Sequence, residues 1–229
     1  MSLYVIGDLH LSFGIPDKTM DIFRGWDNYQ QLIERNWVET VKNEDTVVLA
    51  GDTSWGMSLE QADADFAFLE RLPGRKILLK GNHDYWWTTM NKMTEYIQDR
   101  GFTSLSVLHN NHFEYEGYGI CGTRGWVNMP NEPSDAKVLA REAGRLETSV
   151  DSAKKAGLIP IVFMHYPPIF GNSFNYDILE VFYRHDIKQC YYGHIHGNGH
   201  SLGVKGEYDG TDYRLISSDY LQFMPEKVL

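Results

Sequence analysis

Five short clusters hold the residue types able to do chemistry: Asp8-Leu9-His10, Gly51-Asp52, Gly81-Asn82-His83-Asp84, His165 alone, and Gly193-His194-Ile195-His196-Gly197. Their side chains are carboxylates, an amide oxygen and imidazoles, the donors that bind metal ions. In an extended strand end, side chains at i and i+2 point the same way, so Asp8 and His10 can share one ion. Two imidazoles at the same spacing between glycines, His194 and His196, have few structural reasons to exist. The other clusters also have ordinary readings. Asp52 by itself reads as a helix N-cap behind a glycine that turns the chain sharply. Asn82, His83 and Asp84 can be the capped start of a helix. Pro167 keeps Tyr166 extended and so presents His165 at a strand end, where a structural histidine is the alternative.

What lifts the clusters above chance is their place in the chain. Short apolar, β-branched runs at Leu3 to Ile6, Thr46 to Ala50, Lys76 to Leu79, Ser104 to Leu108, Gly119 to Cys121, Pro160 to Met164 and Gln189 to Tyr192 predict buried strands. Every polar cluster follows the carboxyl end of such a run, the edge at which open α/β sheets bind ligands. Helical spacing over Tyr29, Leu32, Ile33, Trp37, Val38 and Val41 places a helix between the first two strands. Ser58 and Gln61 form a capping box ahead of Phe66, Phe68 and Leu69, and Gly101 closes a helix that starts near Tyr85. Asp209-Gly210 is a hairpin turn, so the C-terminal stretch reads as antiparallel. The expected fold is layered α/β, a sandwich with mixed central sheets flanked by helices, as a single domain over residues 1–229.

Bulk properties narrow the partners. The formal charge of −10 opposes binding to a nucleic acid polymer, which normally relies on a basic patch. No apolar run approaches the ~20 residues of a membrane span, and the first ten residues have no signal-peptide pattern, which predicts a cytoplasmic protein. Cys121 and Cys190 sit apart in apolar or aromatic segments and read as free core thiols.

Taken in order, the clusters resemble the motif series of the calcineurin-like metallophosphoesterase superfamily: Asp-x-His, Gly-Asp, Gly-Asn-His-Asp, a lone His, and Gly-His-x-His. With Gly122-Thr123-Arg124-Gly125-Trp126 between them, the chain looks like a small bacterial branch of predicted phosphohydrolases. The resemblance implies one ion on Asp8, His10 and His196, a second on Asn82, His165 and His194, and Asp52 bridging both. A thiolate-free nitrogen and oxygen set suits two divalent Mn, Fe or Zn ions. The implied reaction is attack of a metal-bridging hydroxide on a small phosphate monoester or diester.

In the family, the counterpart of His83 lies beside the scissile phosphate as proton donor or charge stabiliser. Asp84 is placed to orient it. Arg124 reads either as a clamp on phosphate oxygens or as a surface ion pair. Relatives often carry a polar residue three positions beyond the Asp of Gly-Asp, where this chain has Trp55. The long connection between Leu11 and Asn28 is either a lid or a loop packed by its own aromatics. Tyr85, Trp86 and Trp87 are expected to divide between core and pocket. His109, His112, His185 and His200 fall outside the pattern. The alternative functions are a nuclease or cyclic-nucleotide phosphodiesterase, a lipid-phosphate hydrolase, and a non-catalytic metal-binding scaffold.

Overall fold

The alternation of apolar side chains along the central strands decides the layering. The computed structural model describes residues 1–126 and 136–229. In chain order the elements are β1 (Leu3–Ile6), α1 (Tyr29–Thr40), β2 (Thr46–Ala50), α2 (Leu59–Arg71), β3 (Arg75–Leu79), α3 (Met90–Asp99), β4 (Leu105–Val107), β5 (Phe113–Tyr115), β6 (Tyr118–Thr123), α4 (Ala136–Lys155), β7 (Ile159–Met164), β8 (Ile169–Phe170), β9 (Ser173–Phe174), α5 (Tyr176–His185), β10 (Gln189–Tyr192), β11 (Gly206–Tyr208), β12 (Thr211–Leu215) and β13 (Glu226–Lys227). One sheet runs β13-β1-β2-β3-β4, the other β11-β12-β10-β7-β6-β5, and β8 pairs with β9.

Val5, Val48, Ala50, Ile77 and Leu79 of the first sheet meet Ile120, Ile161, Phe163 and Tyr191 of the second in one buried layer. The alternate residues Ile6, Val47, Leu49 and Leu78 face outward onto Ile33 and Trp37 of α1 and Phe66 and Leu69 of α2. Val162, Met164, Cys190 and Tyr192 face α4 and α5 through Leu146, Val150, Ile178 and Phe182. Strands covered on both faces read as continuous apolar runs, which explains their lack of polar alternation. The result is the expected layered α/β sandwich, two mixed sheets between helices. Both cysteines are free and buried in it. Among the described residues no helix is long and apolar enough to cross a membrane.

Three expectations need correction. The helix expected near Tyr85 begins at Met90, because Asp84 and Thr89 shape the preceding segment. Trp87 N donates to Asp84 O, Trp86 Nε1 donates to the Asp84 carboxylate, and Thr89 Oγ1 caps the helix by accepting from Lys92 N. Gly101 does terminate this region, in the left-handed conformation at φ +67°. The Ser58 box is not reciprocal, since Gln61 Oε1 accepts from Met57 N rather than from Ser58 N. Asp209-Gly210 does turn β11 antiparallel into β12, but β12 then lies parallel to β10.

Candidate metal centre

All seven expected ligands converge where the carboxyl ends of β1, β2, β3, β7 and β10 meet. Asp8, His10 and His196 offer one group of ligand atoms, and Asp52, His165 and His194 a second, each lying within 4.8 Å of one another. Asn82 joins the second group, its Oδ1 2.6 Å from His165 Nε2 and 2.9 Å from His194 Nδ1. Asp52 Oδ2 stands 3.8 Å from His10 Nε2 and 3.5 Å from His165 Nε2, between the two groups.

The backbone is bent to make this convergence. Asp8, His10, Asp52 and His194 have φ of 58°, 47°, 51° and 72°. Left-handed non-glycine residues cost roughly 1–3 kcal/mol each and persist where the surroundings fix them. Here the fixing bonds run between the strand ends: Asp8 N to Gly51 O, His10 N to Asp52 O, and His194 N to the Asp8 carboxylate. The neighbouring glycines are needed for space. A Cβ on Gly81 would run into Asp52, one on Gly193 into Asp8, and one on Gly51 into Gly81 and His165.

The donors fit a cation on three counts. Ligand atoms ~2.1 Å from a shared ion lie about 3 to 4 Å apart, and here His10 Nε2 to His196 Nε2 is 3.4 Å, His196 Nε2 to Asp8 Oδ1 3.5 Å, and His165 Nε2 to His194 Nδ1 3.2 Å. Tautomers agree with the spacing. His165 Nδ1 has the Ala50 carbonyl at 3.2 Å and His196 Nδ1 has Asp219 Oδ1 at 2.9 Å, so a proton on each of these nitrogens leaves a lone pair on Nε2 aimed at another acceptor. Finally, Asp8 and Asp52 are buried, and no lysine or arginine among the described residues is ion-paired with them.

The titration of the cluster reflects these positive and negative demands. Burial and Asp8 push the Asp52 carboxyl well above its usual range. Burial also lowers His10 and His165, and burial with His165 takes His194 down to about 3, so these rings are neutral lone-pair donors. Burial opposes ionisation of Asp8, yet His196, His165 and His10 together hold it below the usual carboxylate range. His196 goes the other way. Against burial, its bonds to Asp219 and Asp8 push it up to about 10.

The remaining sequence candidates are placed differently. Asp84 does not orient His83, because its carboxylate accepts from Asp52 N, Thr53 N, Ser54 N, Gly81 N and Trp86 Nε1 and so ties the two ligand loops together. His83 Nδ1 is buried without a hydrogen-bond partner. The His83 ring lies 4.5 Å from Trp55 and 5.7 Å from His10, facing the ligands. Arg124 lies 5.0 Å over the Trp126 ring and 3.8 Å from Glu142, the ion-pair arrangement. Trp55 stacks on His10 at 4.8 Å. Within the 11–28 connection Trp26 is buried edge-on to His10 and His196, while Phe13 packs on Phe68. Trp86 is core, Tyr85 exposed, and Trp87 packs between Trp86 and His109.

Sequence reasoning missed Asp219 and Tyr166. Asp219 accepts from Gly197 N as well as facing His196, and lies 3.1 Å from His200. Tyr166 packs 4.3 Å from His194.

A family model described as calcineurin-like phosphoesterase matches residues 1–198. No curated protein sequence matches. Among solved structures, AQ665 of Aquifex aeolicus, a protein of unknown function, aligns at 17% identity and TM-score 0.52 over 99% of this chain and 95% of its own. The phosphopantetheinyl hydrolase PptH of Mycobacterium tuberculosis aligns at 14% identity and TM-score 0.55 over 100% and 95%. At these identities the two structures share the fold.

Proposed function

We propose, from the premise that this chain belongs to the calcineurin-like phosphoesterase family and is a metal-dependent hydrolase of phosphate esters, that it works with two ions and takes a small ester. The observation that carries the dinuclear reading is Asp52 Oδ2 standing between the two ligand groups. Asp8, His10 and His196 would hold one ion, Asn82, His165 and His194 the other, with Asp52 shared. When bound, such ions acidify a water and neutralise the charge of the transferring phosphoryl group.

The chain's own residues do the rest. Asp84 fixes the spacing of the Asp52 and Asn82 loops. Trp55 and Trp26 wall His10 and keep bulk water from that side. His83, whose ring faces the ligands, is the proposed proton donor to the leaving oxygen in its protonated form, and burial and His165 lower its hold on that proton. The −10 charge of the chain favours a compact ester over a polymer.

Two tests follow. Chelation with verified metal removal should abolish hydrolysis of p-nitrophenyl phosphate and bis-p-nitrophenyl phosphate and lower the melting temperature, since ions bound only to the folded state stabilise it. Undiminished turnover by metal-free protein sinks the reading. Asp219→Ala should weaken metal binding by about 10- to 100-fold, the usual effect of removing an acceptor behind a ligating histidine. Asp219→Asn keeps an oxygen for His196 Nδ1 and should restore most of it. Competition with a chelating dye reads both, and equal affinity in all three proteins removes Asp219 from the site.

A further inference from the structure

Beside the ligand cluster, the ends of β3 and β6 border a small surface cleft of about 10 Å³. Lys80, His109, Arg124 and Arg145 line it, around the buried carboxylate of Glu142. Thr123 Oγ1 and Arg145 each donate to Glu142 at 2.7 Å, and Arg124 stands off at 3.8 Å. An ion-pair staple between β6 and α4 accounts for Arg145 and Thr123. It does not account for Lys80, which makes no hydrogen bond or ion pair among the described residues, or for Arg124 Nε, which is buried without a hydrogen-bond partner.

Lys80, Arg124 and Arg145 therefore gather at one buried carboxylate, on which Arg124 and Arg145 are paired and which the exposed Arg141 also reaches at 3.7 Å, in a chain whose net charge is −10. Their crowding is felt. Burial and Arg145 hold His109 below its ordinary range. A concave group of cations that outnumber their carboxylate concentrates anions locally even on an acidic protein, and guanidinium groups match phosphate oxygens.

We propose that this cleft is a second anion subsite of the same active centre and that it selects phosphate esters carrying a second phosphate group. The proposal rests on the phosphoesterase reading above. Its geometry is short range: Lys80 precedes Asn82 by two residues, at most roughly 7 Å of extended chain. From the other side, Tyr166 N, next to His165, donates to Arg124 O at 2.9 Å. A second phosphate joined through a few bonds reaches Lys80 and Arg124 while the first lies at the ligand cluster.

The test uses the full chain at saturating Mn²⁺, with butylphosphonate and butanediyl bisphosphonate as non-hydrolysable probes in calorimetry. The bisphosphonate should bind the parent on the order of tenfold to a hundredfold more tightly, the range for one or two added charge-assisted contacts. Lys80→Gln, which breaks no ion pair, should remove most of that preference and leave butylphosphonate affinity unchanged. Equal affinities in the parent overturn the proposal. So does a preference that survives in both Lys80→Gln and Lys80→Gln/Arg145→Gln. A single-stranded oligonucleotide bound in a Lys80-dependent way would assign the cleft to a polymer and also overturn it. Turnover of p-nitrophenyl esters is measured in parallel: its absence overturns the phosphoesterase reading, while the binding preference still reports on the cleft.

Discussion

Asp52→Asn should reduce hydrolysis by ~10³-fold or more, corresponding to the several kcal/mol of charge stabilisation that a correctly held metal supplies, while leaving the metal-free fold intact. The two halves of that expectation have different physical causes. Asparagine keeps Oδ1 to accept from His83 N, a bond of 2.7 Å in the parent. Its new amide group faces His10 Nε2 and His165 Nε2, both able to accept a proton. Burial and Asp8 already raise the Asp52 carboxyl well above its usual range. A carboxyl raised in the folded state contributes stability that is present below its unfolded pKa and lost as pH climbs through the folded value. Metal-free parent therefore loses stability across that window, and the neutral asparagine does not. Without metal the variant should melt no lower than the parent at neutral pH.

With metal the order reverses, because the parent gains about 2.7 kcal/mol at a hundredfold excess of ion over its dissociation constant and the variant forfeits most of it. Melting curves with and without Mn²⁺, together with elemental analysis, read both halves. Two tightly held ions in Asp52→Asn would show that Asp52 is not shared.

Much of this site was legible because its ligands sit next to strand ends and beside glycines that the close approach demands. Gly51, Gly81 and Gly193 each leave room where a Cβ would strike a ligand or its neighbour, so glycine and ligand occur together in the sequence. The layering was legible for a similar reason, since strands covered on both faces must be apolar throughout.

Asp219 had no such mark. It stands in Ser217-Ser218-Asp219-Tyr220 and reaches His196 only because the turn after β12 is pinned to the turn after β1, with Ser218 Oγ donating to Gly7 O at 2.6 Å. Nothing in local spacing reports a contact made by that long-range pairing. The parallel placement of β12 against β10 was hidden in the same way: Asp209-Gly210 fixes one edge of β12 and is silent about the other. The assignment of Asp84 failed from chain adjacency. Neighbouring residues at a bend point apart, and the carboxylate turned toward five backbone and indole N–H groups instead of the imidazole.

The contrast between His83 and His196 separates chemistry from metal holding. His196 joins Asp8, at 3.5 Å, to Asp219, at 2.9 Å. Its removal leaves both carboxylates without that partner, so His196→Ala should lose metal occupancy and turnover together. His83 holds nothing by its ring. Its backbone N–H makes the bond to Asp52, which alanine retains, and its Nδ1 has no partner to orphan. His83→Ala should therefore fold, keep both ions, and slow hydrolysis by ~10²- to 10⁴-fold, the usual worth of a positioned proton donor. The deficit should depend on the leaving group. Nitrophenolate departs with little need of a proton, whereas an alkoxide requires one, so the variant should lose far less on p-nitrophenyl phosphate than on an alkyl phosphate. A deficit equal on both esters would make His83 a charge stabiliser and not a proton donor. Parental rates on both, with two ions bound, would leave it without a role in the reaction.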